Sequence, residues 1–159
     1  MGKLNLLIVE DNLLVGAAVR DMLKAEGHDV FVVENGESGR RAVSDQTFNV
    51  ILLDLMLPDV DGQVLLEEWG QAYPDTQIIV MTAYGDIPLA VECLKKGAYD
   101  FLTKPVEKVQ IEHDHARHPQ SDDLTGRTQY VGRVPGIQHG GALRNVVGEI
   151  TGNRPTHRR

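Results

Sequence analysis

The chain has 159 residues, 42% of them hydrophobic and 25% charged, with a formal net charge of −7 and one cysteine; that is enough for one ordinary domain plus a tail. The longest unbroken apolar stretches, such as Leu6–Val9, fall far short of a membrane span or of the apolar region of a secretory signal. The lone Cys93 excludes an internal disulfide framework, so a cytoplasmic, membrane-free protein is expected, with Cys93 as a packing residue.

Short apolar runs alternate with helical patterns up to about residue 105. Leu4–Val9 reads as a strand, and a helix over Leu13–Glu26 follows, with Val15, Ala18, Val19 and Met22 on one face and Gly27 at its end. Val30–Val33 is a second strand and Gly36–Ser44 a weaker helix. Val50–Leu53 is a third strand, β-branched or Leu throughout, as expected where both faces are covered. The turn Pro58–Gly62 leads to a helix over Val64–Gln71, then to a fourth strand, Ile78–Met81. Asp86 caps a helix over Ile87–Lys96, with Pro88 in its first turn and Gly97 after it. Phe101–Thr103 is a short fifth strand. This alternation predicts an α/β fold: a doubly wound, five-stranded parallel sheet with helices on both faces.

The pattern fails near residue 106. Val106 and Val109 begin a fifth helix, but Gln110 and His113 stand where apolar residues should continue it, and Pro119 stops it. Charge shifts as well: residues 1–111 carry 18 acidic and 9 basic residues (−9), residues 112–159 carry 5 and 7 (+2). The acidic part repels nucleic acid. Residues 1–118 are therefore read as one domain and 119–159 as a linker or poorly structured tail with no recognisable output domain. His113, His115 and His118 cluster just before this boundary, and solvated histidines are the plainer reading than a metal site.

In an open parallel sheet the site lies beyond the carboxyl ends of the strands. Strand one ends in Glu10–Asp11, strand three in Asp54, strand four in Thr82 and strand five in Lys104. Taken singly, each has an ordinary role as cap, turn, strand or solvated residue. Their agreement at one edge is what points to chemistry. Clustered carboxylates either take up protons or bind a hard divalent cation; oxygen-only ligands at an open edge favour Mg²⁺. With Lys104 opposite, such a site neutralises a phosphoryl group in transfer. Asp54, ending the central buried strand, is the natural nucleophile for an acyl phosphate.

The segments "LLIVEDN", "VILLDLMLPDVDG", "IIVMTAYGD" and "GAYDFLTKP" resemble the signature segments of response-regulator receiver domains, over residues 4 to about 111. "TAYGDIPLAVECLKKGAYDFLTKP" further resembles the NtrC-type group, whose members activate sigma-54 promoters. The resemblance implies a flavodoxin-like fold and a set of roles. Asp54 is phosphorylated by a sensor histidine kinase. Asp11, Asp54 and the carbonyl of Met56 ligate Mg²⁺, and Glu10 acts on it through water. Thr82 and Lys104 contact phosphoryl oxygens, and the Lys104–Pro105 bond is cis. Phe101 is an aromatic switch that turns inward when Thr82 moves, and Gly62 lets the loop after Asp54 turn tightly. Catalysis is limited to phosphotransfer onto Asp54 and slow autodephosphorylation, and the switch controls an output, transcription being expected.

A homodimer is a further expectation, as is the absence of direct nucleic-acid binding. Two other readings are an aspartyl-phosphate hydrolase and a stand-alone adaptor receiver without transcriptional output. Such hydrolases commonly carry a second Asp two residues after the nucleophile; Met56 stands there and is no general acid. "YVGRVPGIQ" at Tyr130–Gln138 faintly resembles the start of the ATPase domain that follows the receiver in NtrC-type proteins, but the glycines of "GEITGNRPTHRR" lack the lysine of a phosphate-cradling loop. No ATPase activity is assigned.

Overall fold

The computed structural model describes residues 2–83 and 86–104. The expected cis bond to Pro105, the start of a fifth helix at Val106, the 118/119 boundary, the histidine cluster and the tail all lie outside the described residues.

Among the described residues nine elements follow in chain order: β1 (Asn5–Val9), α1 (Leu13–Ala25), β2 (Asp29–Val33), α2 (Gly36–Asp45), β3 (Val50–Asp54), α3 (Gly62–Ala72), β4 (Gln77–Thr82), α4 (Ile87–Lys95) and β5 (Asp100–Thr103). The strands form one sheet in the order β2-β1-β3-β4-β5. All four pairings are parallel. This is the expected flavodoxin-like, doubly wound arrangement, and each predicted element is present within about two residues of its predicted ends.

Strand side chains alternate between two core layers. Leu6, Ile8, Val50, Leu52, Ile79, Met81 and Leu102 pack on one face with Val19, Met22 and Leu23 of α1. Leu7, Val9, Ile51, Leu53, Val80 and Phe101 pack on the other with Leu65, Leu66 and Trp69 of α3 and Ala90 and Cys93 of α4, and with Ala42 and Val43 of α2 beside them. Each fully buried aliphatic side chain contributes about 1.5–3 kcal/mol. Two faces so covered explain why β3 is apolar along its length up to Asp54.

Local signals set the helix ends. Asn12 caps α1 by accepting from the amides of Leu14 and Val15, and Asp86 caps α4 by accepting from Leu89 at 2.9 Å. Gly27 and Gly97, with φ of 94° and 107°, turn the chain out of α1 and α4 through left-handed backbone. Cys93 is fully buried, and burial pushes its thiol up to about 11, as a packing residue requires.

Candidate functional site

The carboxyl ends of β1, β3, β4 and β5 bring the strand-end residues together. Glu10 follows β1 and is 1% exposed; Asp54 ends β3 and is 3% exposed. Asp11 is exposed. The three carboxylates each offer an oxygen within 4.8 Å of the others. Lys104, one residue past β5, reaches both buried acids: its Nζ donates to Asp54 Oδ2 at 2.9 Å and to Glu10 Oε2. Its backbone amide donates to the carbonyl of Thr82 at 2.9 Å, which fixes the lysine where β4 and β5 end together. Thr82 is buried and pairs in register with Thr103, one residue beyond Met81, the register partner of Asp54.

Burial pushes the Glu10 carboxyl up, and the nearby Asp54 charge adds to this, against the hydrogen bond and charge of Lys104. For Lys104, burial acts to lower the ammonium's value, but its bonds to Glu10 and Asp54 outweigh burial and raise it. The ammonium is thus held charged between two buried carboxyls, an arrangement whose geometry must be good to offset desolvation.

The loop between β3 and α3 shapes the other side. Met56 is exposed, and its amide donates to Asp54 Oδ1 at 3.0 Å. Met56 also forms an antiparallel bridge with Asp61, and the Gly62 amide donates to the Leu55 carbonyl at 3.0 Å. Gly62 is needed here for a reason other than the tight turn expected of it. Its φ is not among the positive ones, but a Cβ at this position would lie 2.5 Å from both the Asp54 carbonyl oxygen and the Leu55 Cα. Close backbone approach, rather than a special dihedral, excludes a side chain.

Phe101 is 2% exposed and already turned into the core layer with Val80, Ala90 and Cys93. The structure thus places Glu10, Asp11, Asp54 and Lys104 in one cluster, Met56 and Thr82 at its rim, and Phe101 inside the core.

The residues present suit Mg²⁺: the facing groups are carboxylate oxygens, one of them exposed, with no nitrogen or sulfur ligand among them. Two contributors escaped the strand-end reading. The backbone amide of Asn12 donates to Glu10 Oε1 at 3.2 Å, a bond any residue but proline could make and that no side-chain signal announces. Asp59 accepts from the amides of Gly36 and Glu37, both at 2.9 Å, and nothing local in the sequence announces a partner so distant.

Comparison with known proteins gives the same direction. The family described as the response regulator receiver domain matches residues 6–115. The response regulator protein FleR of Pseudomonas aeruginosa is 31% identical over 137 residues, which are 86% of this chain and 27% of that protein. The response regulator protein PilR of the same organism is 30% identical over 155 residues, 94% of this chain and 34% of that protein. The chain therefore spans about a third or less of these curated relatives. Among solved structures, the receiver domain of NtrX from Brucella abortus superposes with a TM-score of 0.62 at 28% identity, covering 71% of this chain and 96% of that one.

Proposed function

Because the chain belongs to the response regulator receiver domain family, we propose that it is a phospho-accepting switch in which Asp54 takes a phosphoryl group from a sensor histidine kinase. The observation that carries this reading is the pairing of Asp54 with Lys104 at 2.9 Å beside two further carboxylates. In the transfer, an Asp54 carboxylate oxygen forms a bond to phosphorus as the bond from phosphorus to the donor's histidine nitrogen breaks. The electron pair leaves with that nitrogen, and an acyl phosphate results.

Lys104 meets charge on the phosphoryl oxygens, and the Thr82 hydroxyl hydrogen-bonds another of them. Asp11, Asp54 and the Met56 carbonyl are the Mg²⁺ ligands in this reading, with Glu10 acting through water. The ion supplies neutralisation of the charge shared between carboxylates and phosphoryl group. Thr82 then shifts toward the phosphoryl group, and the repacking passes to Phe101 and α4 behind it. Met56, two residues after Asp54, offers no acid or base for rapid hydrolysis, which favours a lasting phospho-state over turnover.

The receiver unit is residues 1–118, and residues 119–159 form a linker or tail. The output is control of transcription, the role for which relatives such as the transcriptional regulatory protein ZraR of Escherichia coli are named. The partners are the kinase and a second copy of the chain, and the acidic receiver does not itself bind nucleic acid.

The test is labelling with acetyl phosphate and Mg²⁺. Intact mass should rise by one phosphoryl group that is acid-stable and base-labile, and Asp54→Asn should abolish the rise. Labelling that persists in Asp54→Asn rules Asp54 out.

A further inference from the structure

We infer that Asp59 is a positioning residue for the metal-binding edge of the site, acting through the loop that carries Met56. The inference rests on the reading of Glu10, Asp11, Asp54 and Met56 as the Mg²⁺-binding edge.

The loop between β3 and α3 is held at its base by the Met56–Asp61 bridge and the Gly62-to-Leu55 hydrogen bond. Its tip, Asp59–Val60, reaches across to α2. There the two oxygens of the Asp59 carboxylate divide between two amides: Oδ1 accepts from Gly36 and Oδ2 from Glu37, both at 2.9 Å. These are amides of the first turn of α2, which the helix leaves without internal acceptors. A carboxylate suits them because the helix N-terminus favours negative charge. The amide bonds, Gly36 first and Glu37 next, hold the Asp59 carboxyl below the usual carboxylate range.

A second contact fixes the same tip. Val60 Cγ1 packs where a side chain at residue 36 would begin: a Cβ there would lie 2.1 Å from it. Gly36–Glu37 and Asp59–Val60 are thus complementary halves of one junction, one supplying space and donors, the other acceptors and a methyl group. The helix at the far end is anchored independently. Arg40 of α2 makes two bonds to Glu68 of α3, at 3.1 and 2.9 Å, and Trp69 of α3 packs against Gly39.

The tip is therefore pinned to a fixed helix, and Met56 is bridged to Asp61 two residues beyond Asp59. Releasing the tip leaves only the base of the loop, the Met56–Asp61 bridge and the Gly62-to-Leu55 bond, to hold Met56, whose amide orients Asp54 Oδ1. Groups behind a metal's ligands typically change its affinity by about tenfold or more when removed.

The experiment titrates Mg²⁺ alone into the full chain by isothermal titration calorimetry, which reads binding directly. Asp59→Ala should weaken the Mg²⁺ Kd about tenfold. Its acetyl-phosphate labelling should slow most at limiting Mg²⁺, and saturating Mg²⁺ should recover part of the rate, since Lys104 still faces Asp54. Asp59→Asn, which keeps one acceptor oxygen, should fall between. Arg40→Ala removes the ion pair to Glu68 and a positive charge near Asp59 but leaves both Asp59 hydrogen bonds in place, and should leave the Kd little changed. A wild-type Kd in Asp59→Ala, or an equal loss in Arg40→Ala, overturns the inference. If Asp59→Ala does not fold, Gly36→Ala decides instead: it displaces Val60, and a wild-type Mg²⁺ Kd there has the same overturning force. Should the wild-type chain itself show no Mg²⁺ response, the proposed metal site fails, and the role of Asp59 fails with it.

Discussion

Lys104 Nζ stands 2.9 Å from Asp54 Oδ2 while also donating to Glu10, so one ammonium bridges two buried carboxylates carried by different strands. Removing it leaves two buried acids facing each other. Lys104→Met keeps most of the side-chain volume and loses the charge. We expect a loss of about 3 kcal/mol in urea unfolding without Mg²⁺, the size seen when one partner of a buried pair is removed. Added Mg²⁺ should recover part of that loss, because it supplies the missing positive charge. An equal loss with and without Mg²⁺ would mean that the lysine's role is packing.

Asp11 behaves differently because it is exposed. Asp11→Ala should change metal-free stability by no more than about 0.5 kcal/mol, as surface substitutions do. The rise in Tm expected from Mg²⁺ in the wild-type chain should be missing from the variant, since a ligand that binds only the folded state stabilises it. Thermal scans with and without Mg²⁺ check this. An undiminished rise removes Asp11 from the ligand set.

The junction at Asp59 carries its own pH signature. Its folded-state value lies below the ordinary one, so its contribution is present above the unfolded value and is lost as pH falls through the folded value. The stability difference between wild type and Asp59→Asn should hold steady from neutrality down to about pH 5 and shrink below about pH 4. Urea midpoints across this range measure it. A difference that grows on acidification contradicts the sign.

Gly62→Ala should cost about 3 kcal/mol, because its Cβ would press on backbone atoms of Asp54 and Leu55 that cannot rotate away. The same pressure falls on Asp54, the proposed phosphoryl acceptor, so labelling by acetyl phosphate should slow as well. Denaturant midpoints and labelling rates read both effects. A variant of wild-type stability shows that the loop moves aside cheaply.

Much of this architecture is written locally in the chain. Runs such as Val50–Leu53 are covered on both faces and announce themselves by lacking any polar alternation, and Gly27 and Gly97 mark helix ends by their left-handed backbone. The cluster of Glu10, Asp54 and Lys104 was legible because parallel strands all deliver their last residues to one edge. The Asp59–Gly36 junction was not, since its donors are backbone amides that carry no side-chain signature and its halves lie 23 residues apart. Gly62 was singled out for its turn, but its need for glycine comes from a close approach that no sequence spacing displays.

The order of the strands has a consequence for how the chain comes into being. A ribosome delivers Glu10 first, Asp54 some forty residues later, and Lys104 only with the last strand of the sheet. Strands β2, β1 and β3 are neighbours and can associate before β5 exists. Such a nascent half-sheet brings two acids to one edge with no lysine to face them, so it is electrostatically incomplete as well as short of strands. Docking of β5 supplies the ammonium and the final strand together. Completion of the sheet and pairing of the buried acids with their ammonium are then a single event, and a chain interrupted before Lys104 yields neither.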